Sequence, residues 1–253
     1  MANTVQSLDR ALEILETLAV EGRGLGVTEL SQRVGLHKST VHRMLATFAE
    51  WGYVEKNSED DRYRLGMKII DIGSIYLNNI ELKTEALPYL RELREKSQQP
   101  VHLARLEDGQ VIYIEKVDVI NSIRMYSQIG RRVPVHCTAL GKAMAAHFNI
   151  IEVEEIIGNR GLVRVTEKTI VDKNRFLEEL KLTRQRGYAL DDEENEVGIR
   201  CVAAPIMDYR GKVIAAISTS GPVEAFTYEV IEELKKHVMA TAQKISARMG
   251  YMA

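Results

Sequence analysis

The chain has 253 residues, 45% of them hydrophobic and 28% charged, with a formal net charge of −2. That is enough apolar material for one large domain or two ordinary ones, and the near-neutral balance excludes a general nucleic-acid coat while leaving room for a local basic face. No apolar run approaches a membrane span, Cys137 and Cys201 are too few for a disulfide framework, and the N-terminal stretch lacks a secretory pattern, so a cytoplasmic protein without membrane contact is expected.

Leu8, Ala11, Leu12, Leu15 and Leu18 recur at helical spacing, with Ser7 placed to cap the helix. A glycine-rich break, Gly22 to Gly26, follows. Thr28 can cap a second short helix carrying Leu30 and Val34, and Gly35 supplies a turn before a third. In that third helix Val41, Met44, Leu45 and Phe48 fall at i, i+3, i+4 and i+7, so they form one buried stripe. Ser39, His42, Arg43 and Ala46 share the opposite side. Between Ser31 and Thr47 the charges are Arg33, Lys38 and Arg43, with no carboxylate. Two helices, a tight turn and a helix with this face match a helix-turn-helix, whose second helix lies in the major groove. Lys38, Ser39, Thr40, His42 and Arg43 are then the candidate DNA contacts; the alternative is a solvated polar face.

Trp51 to Val54 and Arg62 to Leu65 flank the polar run Asn57–Asp61 and read as a β-hairpin, or wing. Lys56, Arg62 and Arg64 can meet phosphates, and the acidic tip restricts contact to the strand bases. Met67 to Ile80 has helical length with apolar residues on more than one side. It reads as a linker and dimer contact, with an ordinary core helix as the alternative.

Beyond Thr84 the pattern changes. Ala86–Ser97 reads as a helix ended by Pro100, and Val101–Val117 as a hairpin around Glu107 to Gln110. A strand over 123–127 precedes the loop Gly130 to Pro134. His136–Phe148 contains a helix and Asn174–Arg186 is another. Strands follow at Tyr188–Asp191, Cys201–Met207 and Val213–Ser220, and Thr227 caps a long helix running to about Met249. The sum is an α+β chain, its second part an antiparallel sheet with helices on its faces.

With these elements in place, the chain resembles the IclR family of bacterial transcription regulators. The resemblance covers nearly the whole chain. It rests on "TELSQRVGLHKSTVHRML", "GYV" before a hairpin ending "RYRLG", "VHCTALGKAMAA", "GYALDDEENEVGIRCVAAPI" and "AAISTSGP". Within the family, "IRMYSQIGRRVPVHCTALGK" and "KISARMGY" are most similar to repressors of 2-keto-3-deoxygluconate, pectin and uronate use, although regulators of other sugar acids share much of the pattern. The resemblance implies a winged helix-turn-helix over 1–66, a linker and dimerisation helix over 67–83, and a GAF-like effector domain over 84–253. It implies homodimers, often paired into tetramers, on double-stranded operator DNA. It also implies a small sugar-acid or keto-acid effector, and no cofactor. The family's pocket residues, matched onto this chain, are Ala139, Leu140, Asp191, Ile199, Cys201, Ser218 and Ser220.

Those positions also have chemical sense. A helix starting at Thr138-Ala139-Leu140-Gly141 offers free N–H groups to a carboxylate, and Gly141 allows close approach. Ser218 and Ser220 lie two apart on one strand face and both can donate. Asp191 can accept from sugar hydroxyls. The alternatives are serines bonded within the sheet and Cys201 packed in a core. An enzyme is the main rival class, but no nucleophile triad, phosphate loop or paired-carboxylate motif stands out. Asp191, Asp192, Glu193, Glu194 and Glu196 read as a solvated acidic turn. A metal sensor is the second rival: His102, His136, Cys137, His147 and Cys201 lack the spacing of a closed zinc site, so no metal ligands are assigned. Glyoxylate or an aromatic acid remains an alternative effector.

Overall fold

The computed structural model describes residues 5–78, 81–119 and 127–252. The chain divides into two compact units, Met1–Asn79 and Ile80–Ala253.

In the first unit α1 (Gln6–Val20), α2 (Val27–Arg33) and α3 (Lys38–Glu50) precede the hairpin of β1 (Val54–Lys56) and β2 (Tyr63–Leu65), then α4 (Lys68–Asn78). Ile14, Leu18, Leu30, Val41 and Leu45 bury the inner faces of the first three helices against Val54 and Tyr63. α1 starts behind Val5, so Ser7 lies within its first turn and does not cap it. Likewise Thr28 is inside α2; the cap is Gly26, whose N–H donates to Glu29 Oε2 at 3.0 Å. Gly35 takes φ +64° and Leu36 N–H donates to Ser31 O at 3.1 Å. This left-handed turn stops α2 and sends the chain into α3. Leu25 and Tyr63 exchange backbone hydrogen bonds of 2.9 Å, tying the hairpin to the loop before α2. Val5, Leu8 and Leu12 at α1, and Met67, Ile70, Ile72 and Ile75 at α4, are exposed. The last two residues of the expected 67–80 helix lie outside the described residues.

The second unit opens with α5 (Glu81–Ser97), β3 (Val101–Glu107), β4 (Gln110–Val117) and β5 (Arg132–Pro134). The helices α6 (Ala139–Ala145), α7 (Ile150–Arg160) and α8 (Lys173–Arg186) follow. β6 (Ala189–Asp192), β7 (Ile199–Met207), β8 (Val213–Pro222) and α9 (Tyr228–Arg248) complete it. The described strands form one antiparallel sheet in the order β5-β4-β3-β8-β7-β6. Strand alternation sends Leu103, Val202, Ile206 and Ile217 to one face, under α5 and α9. Ala104, Ala189, Ala203 and Ala216 go to the other, under α6, α7 and α8. Small residues on that face let a helix sit close to the sheet. Thr227 caps α9 as expected, its Oγ1 accepting from Val230 N–H at 3.4 Å.

Several expectations need correcting. α5 begins at Glu81 and runs through Pro88, not from Ala86. Arg132–Pro134, read as loop, is an edge strand because its backbone pairs with Gln110–Ile112. α7 forms where no element was expected, on a reciprocal cap: Asn149 Oδ1 accepts from Glu152 N–H at 3.0 Å, and Glu152 Oε2 from Asn149 N–H at 2.9 Å. The strand expected over 123–127 lies outside the described residues except for Ser127. Among the described residues, no helix is long and apolar enough to cross a membrane.

Candidate functional site

On α3 the side chains of Val41 and Leu45 are fully buried, while Lys38, Ser39, His42, Arg43 and Ala46 are exposed and Thr40 is half-buried. The face predicted to read DNA is therefore presented outward, on the second helix of a tight α2–turn–α3 pair. Among the described residues neither Lys38 nor Arg43 enters an ion pair. The wing cations differ from that. Arg62 Nη1 donates to Gly24 O at 3.0 Å and its Nη2 lies 3.5 Å from Glu29, so it holds the hairpin to the loop before α2. Arg64 is exposed and bonded to Glu55 at 2.7 Å, and Lys56 pairs with Asp61.

The second unit places Asp191, Cys201 and Ser220 side by side across β6, β7 and β8, in register. They share the sheet face on which α6 packs. All three line a cavity of about 40 Å³. Ile199 and Asn195 close it from the β6–β7 side, and His102 and Tyr113 from β3 and β4. Ser127, Arg131 and Glu196 complete the polar wall. The wall thus holds serine and tyrosine hydroxyls, a thiol, two carboxyls, an imidazole and a guanidinium around a small space.

Burial sets the electrostatics. Asp191 is raised to about 7, mainly by desolvation, with Glu194 adding to the rise and Lys142 opposing it. Its Oδ1 accepts the N–H groups of Glu194 at 2.8 Å and Asn195 at 3.3 Å. Burial pushes the Cys201 thiol well above its ordinary value and that of Cys137 up to about 12, so both are unreactive thiols. Behind the cavity, Lys142 of α6, 1% exposed, pairs with Glu194 at 2.5 Å. Thr169 Oγ1 donates to Glu194 O at 2.7 Å and Thr166 Oγ1 to Glu193 O at 2.7 Å. Lys168 holds Glu193, and Arg200 holds Asp192. The acid run is therefore a clasped loop that presents Asp191, and the expected solvated turn is corrected accordingly.

Asp191 gives the fold a pH dependence. The unfolded group ionises near about 4, while the folded one keeps its proton to about 7. Between those values the unfolded state binds fewer protons, so stability falls as pH rises. Glu194, also raised by burial, acts in the same direction. Asp191→Asn should flatten part of that decline in urea unfolding between about pH 5 and about pH 7.5; the parent's slope retained in the variant would contradict it.

Of the expected effector residues, Asp191, Ile199, Cys201 and Ser220 meet in the cavity. Ala139, Leu140, Gly141 and Ser218 do not line it. Ala139 and Leu140 are core residues. Thr138 Oγ1 accepts the Gly141 N–H at 3.2 Å, which satisfies one donor of the α6 start. Gly141 is needed for backbone packing, since a Cβ there would overlap the Val135 carbonyl. Ser218 is buried one ladder step away, opposite His102. Sequence reasoning did not place His102, Tyr113, Ser127, Arg131, Asn195 or Glu196 at the site, nor Lys142 behind it. For the β3 and β4 residues the only available signal was strand alternation, which needs the sheet order to be useful.

Residues 7–58 match the IclR helix-turn-helix domain and residues 74–247 match the bacterial transcriptional regulator IclR C-terminal domain. The chain is 40% identical over 249 residues to the HTH-type transcriptional regulator KdgR of Escherichia coli, a match covering 98% of this chain and 94% of that one. It is 36% identical over 250 residues to the transcriptional repressor IclR of the same organism, covering 98% and 91%. A solved IclR homolog from Microbacterium hydrocarbonoxydans, complexed with 4-hydroxybenzoate, aligns with a TM-score of 0.83 at 26% identity, over 96% of this chain and 98% of that one.

Proposed function

The chain belongs to the IclR family of bacterial transcriptional regulators, and from that premise we propose that it represses sugar-acid catabolism in the cytoplasm until a small carboxylate fills the cavity at Asp191, Cys201 and Ser220. It is a DNA-binding regulator and not an enzyme, as its named relatives are. The observation that carries the effector reading is the in-register row Asp191–Cys201–Ser220 opening on a small cavity lined by polar and apolar side chains. Ser220 and Arg131 are wall groups able to hold a carboxylate, and Asp191, titrating near neutrality, can donate to a keto oxygen or accept from a hydroxyl. A relative in complex with 4-hydroxybenzoate supports a carboxylate ligand. The resemblance of residues 123–142 and 244–251 to 2-keto-3-deoxygluconate repressors, together with the likeness to KdgR, supports a sugar acid.

A second reading has one observation in its favour. A cavity of about 40 Å³ holds little more than one water molecule. A two-carbon acid such as glyoxylate needs less movement of the walls than a six-carbon acid. Two copies of the chain on a two-fold operator fit the exposed apolar residues of α1 and α4, which need covering. Pairing of such dimers into tetramers belongs to the same proposal.

The DNA reading is tested on duplexes selected from a random pool by the parent protein. Arg43→Ala should lose about 1–3 kcal/mol of affinity and relax preference at one base position. Lys38→Ala should weaken all sequences alike and lower the salt slope by about one. The same titration should count two protomers per site, or four in a tetramer. Parent-like discrimination by Arg43→Ala, or one protomer per site, would overturn the reading.

A further inference from the structure

His102 lies on β3, opposite Ser218 of β8, and is 2% exposed. It lines the same cavity as Asp191, Cys201 and Ser220. One ring nitrogen is engaged: Nε2 is 2.8 Å from Ser127 Oγ. The other, Nδ1, is buried and has no hydrogen-bond partner among the described residues. The ring is fixed edge-on to Tyr113, with centroids 5.4 Å apart. Buried polar atoms are nearly always paired, so an unpaired nitrogen on a residue of a cavity wall marks a place for a ligand atom.

The chemistry of that atom can be narrowed. Burial holds the ring neutral, with its pKa lowered to about 3, so it carries one N–H and one lone pair. If Nε2–H donates to Ser127, Nδ1 must accept; if Ser127 donates to Nε2, Nδ1–H must donate. A carboxylate or keto oxygen satisfies only the second arrangement. A hydroxyl satisfies both.

We propose that His102 reads a hydroxyl group of the effector, so that the cavity selects hydroxylated keto acids over acids of equal length without hydroxyls. This rests on the cavity being the effector site. Sites built to bond a hydroxyl reject analogues that lack it, because the protein group is then left buried and unpaired.

Calorimetry compares the parent and His102→Phe, which keeps a ring against Tyr113, with 2-keto-3-deoxygluconate and with 2-oxohexanoate. The parent should prefer the hydroxylated acid. His102→Phe should bind it about 10- to 100-fold more weakly and bind 2-oxohexanoate within about twofold of the parent. His102→Gln, whose amide supplies a donor and an acceptor, should keep part of the preference, and it serves as the test if the Phe variant does not fold. Equal losses for both acids, an unchanged preference in His102→Phe, or no preference in the parent would overturn the role of His102 alone. A parent protein that binds neither these acids nor glyoxylate would overturn the effector site itself.

Discussion

Replacing Lys142 by Met should destabilise the fold by about 3–5 kcal/mol. Lys142 is almost completely buried in α6 and its ammonium meets Glu194 at 2.5 Å. Removing the ammonium leaves the Glu194 carboxylate in a poorly solvated place, where its second oxygen already lacks a partner among the described residues. Burial raises both Glu194 and Asp191, and Lys142 opposes both shifts. Without that cation the two carboxyls resist ionisation further, so the loss should grow as pH rises from about 5 to about 8. The double variant Lys142→Met/Glu194→Leu should regain most of the stability, because replacing both partners leaves no charge unpaired. Urea unfolding followed by circular dichroism measures each variant. A loss below about 1 kcal/mol in the single variant would mean that the pair is solvated or already neutral.

Ser220→Ala should weaken binding of 2-keto-3-deoxygluconate by about 1.5–3 kcal/mol, the usual worth of a hydrogen bond to a charged group. The substitution is local. The Ser220 backbone N–H still donates to Pro100 O at 3.2 Å and its backbone register with Cys201 does not depend on the hydroxyl, so the loss within the protein is the hydroxyl's hydrogen bond to the Cys201 thiol. Operator binding without ligand should therefore be unchanged. Calorimetry and an effector-free DNA titration separate the two effects; unchanged ligand affinity would place the carboxylate elsewhere.

The parts of this architecture that depend on neighbours in sequence were legible before the structure. The stripe of Val41, Met44, Leu45 and Phe48 announces α3 and its outward face, and Thr227 announces the start of α9. The reciprocal cap at Asn149 and Glu152 is an equally local signal and marks the start of α7. What depends on sheet order was hidden. His102 becomes a neighbour of Ser218 only because β3 pairs with β8, far along the chain. Periodicity reports which face a residue takes but not which strand lies beside it. The acid run has a related reason: a row of carboxylates looks solvated until Lys142 of α6, Lys168 of the turn before α8 and Arg200 of β7 are brought to it. The bond of Arg62 to the Gly24 carbonyl was hidden because the two lie on opposite sides of α2 and α3 in sequence. The free donors at the start of α6 are legible in any helix sequence, whereas the core placement of Ala139 and Leu140 and the Thr138 cap on the Gly141 N–H are not.

The proposed effector cavity belongs to the second unit and the proposed DNA-reading helix to the first, so on this proposal an effector changes operator affinity through a coupling free energy between two sites. That coupling is typically about 1–3 kcal/mol per site, or about 5- to 150-fold. Fluorescence anisotropy of the parent protein on its selected duplex, with and without saturating 2-keto-3-deoxygluconate, measures it directly. The account predicts that the ligand lowers DNA affinity by a factor in that range, and that the duplex weakens ligand binding by the same factor. Ligand binding with no change in operator affinity, or an equal affinity for the ligand with and without duplex, would contradict it.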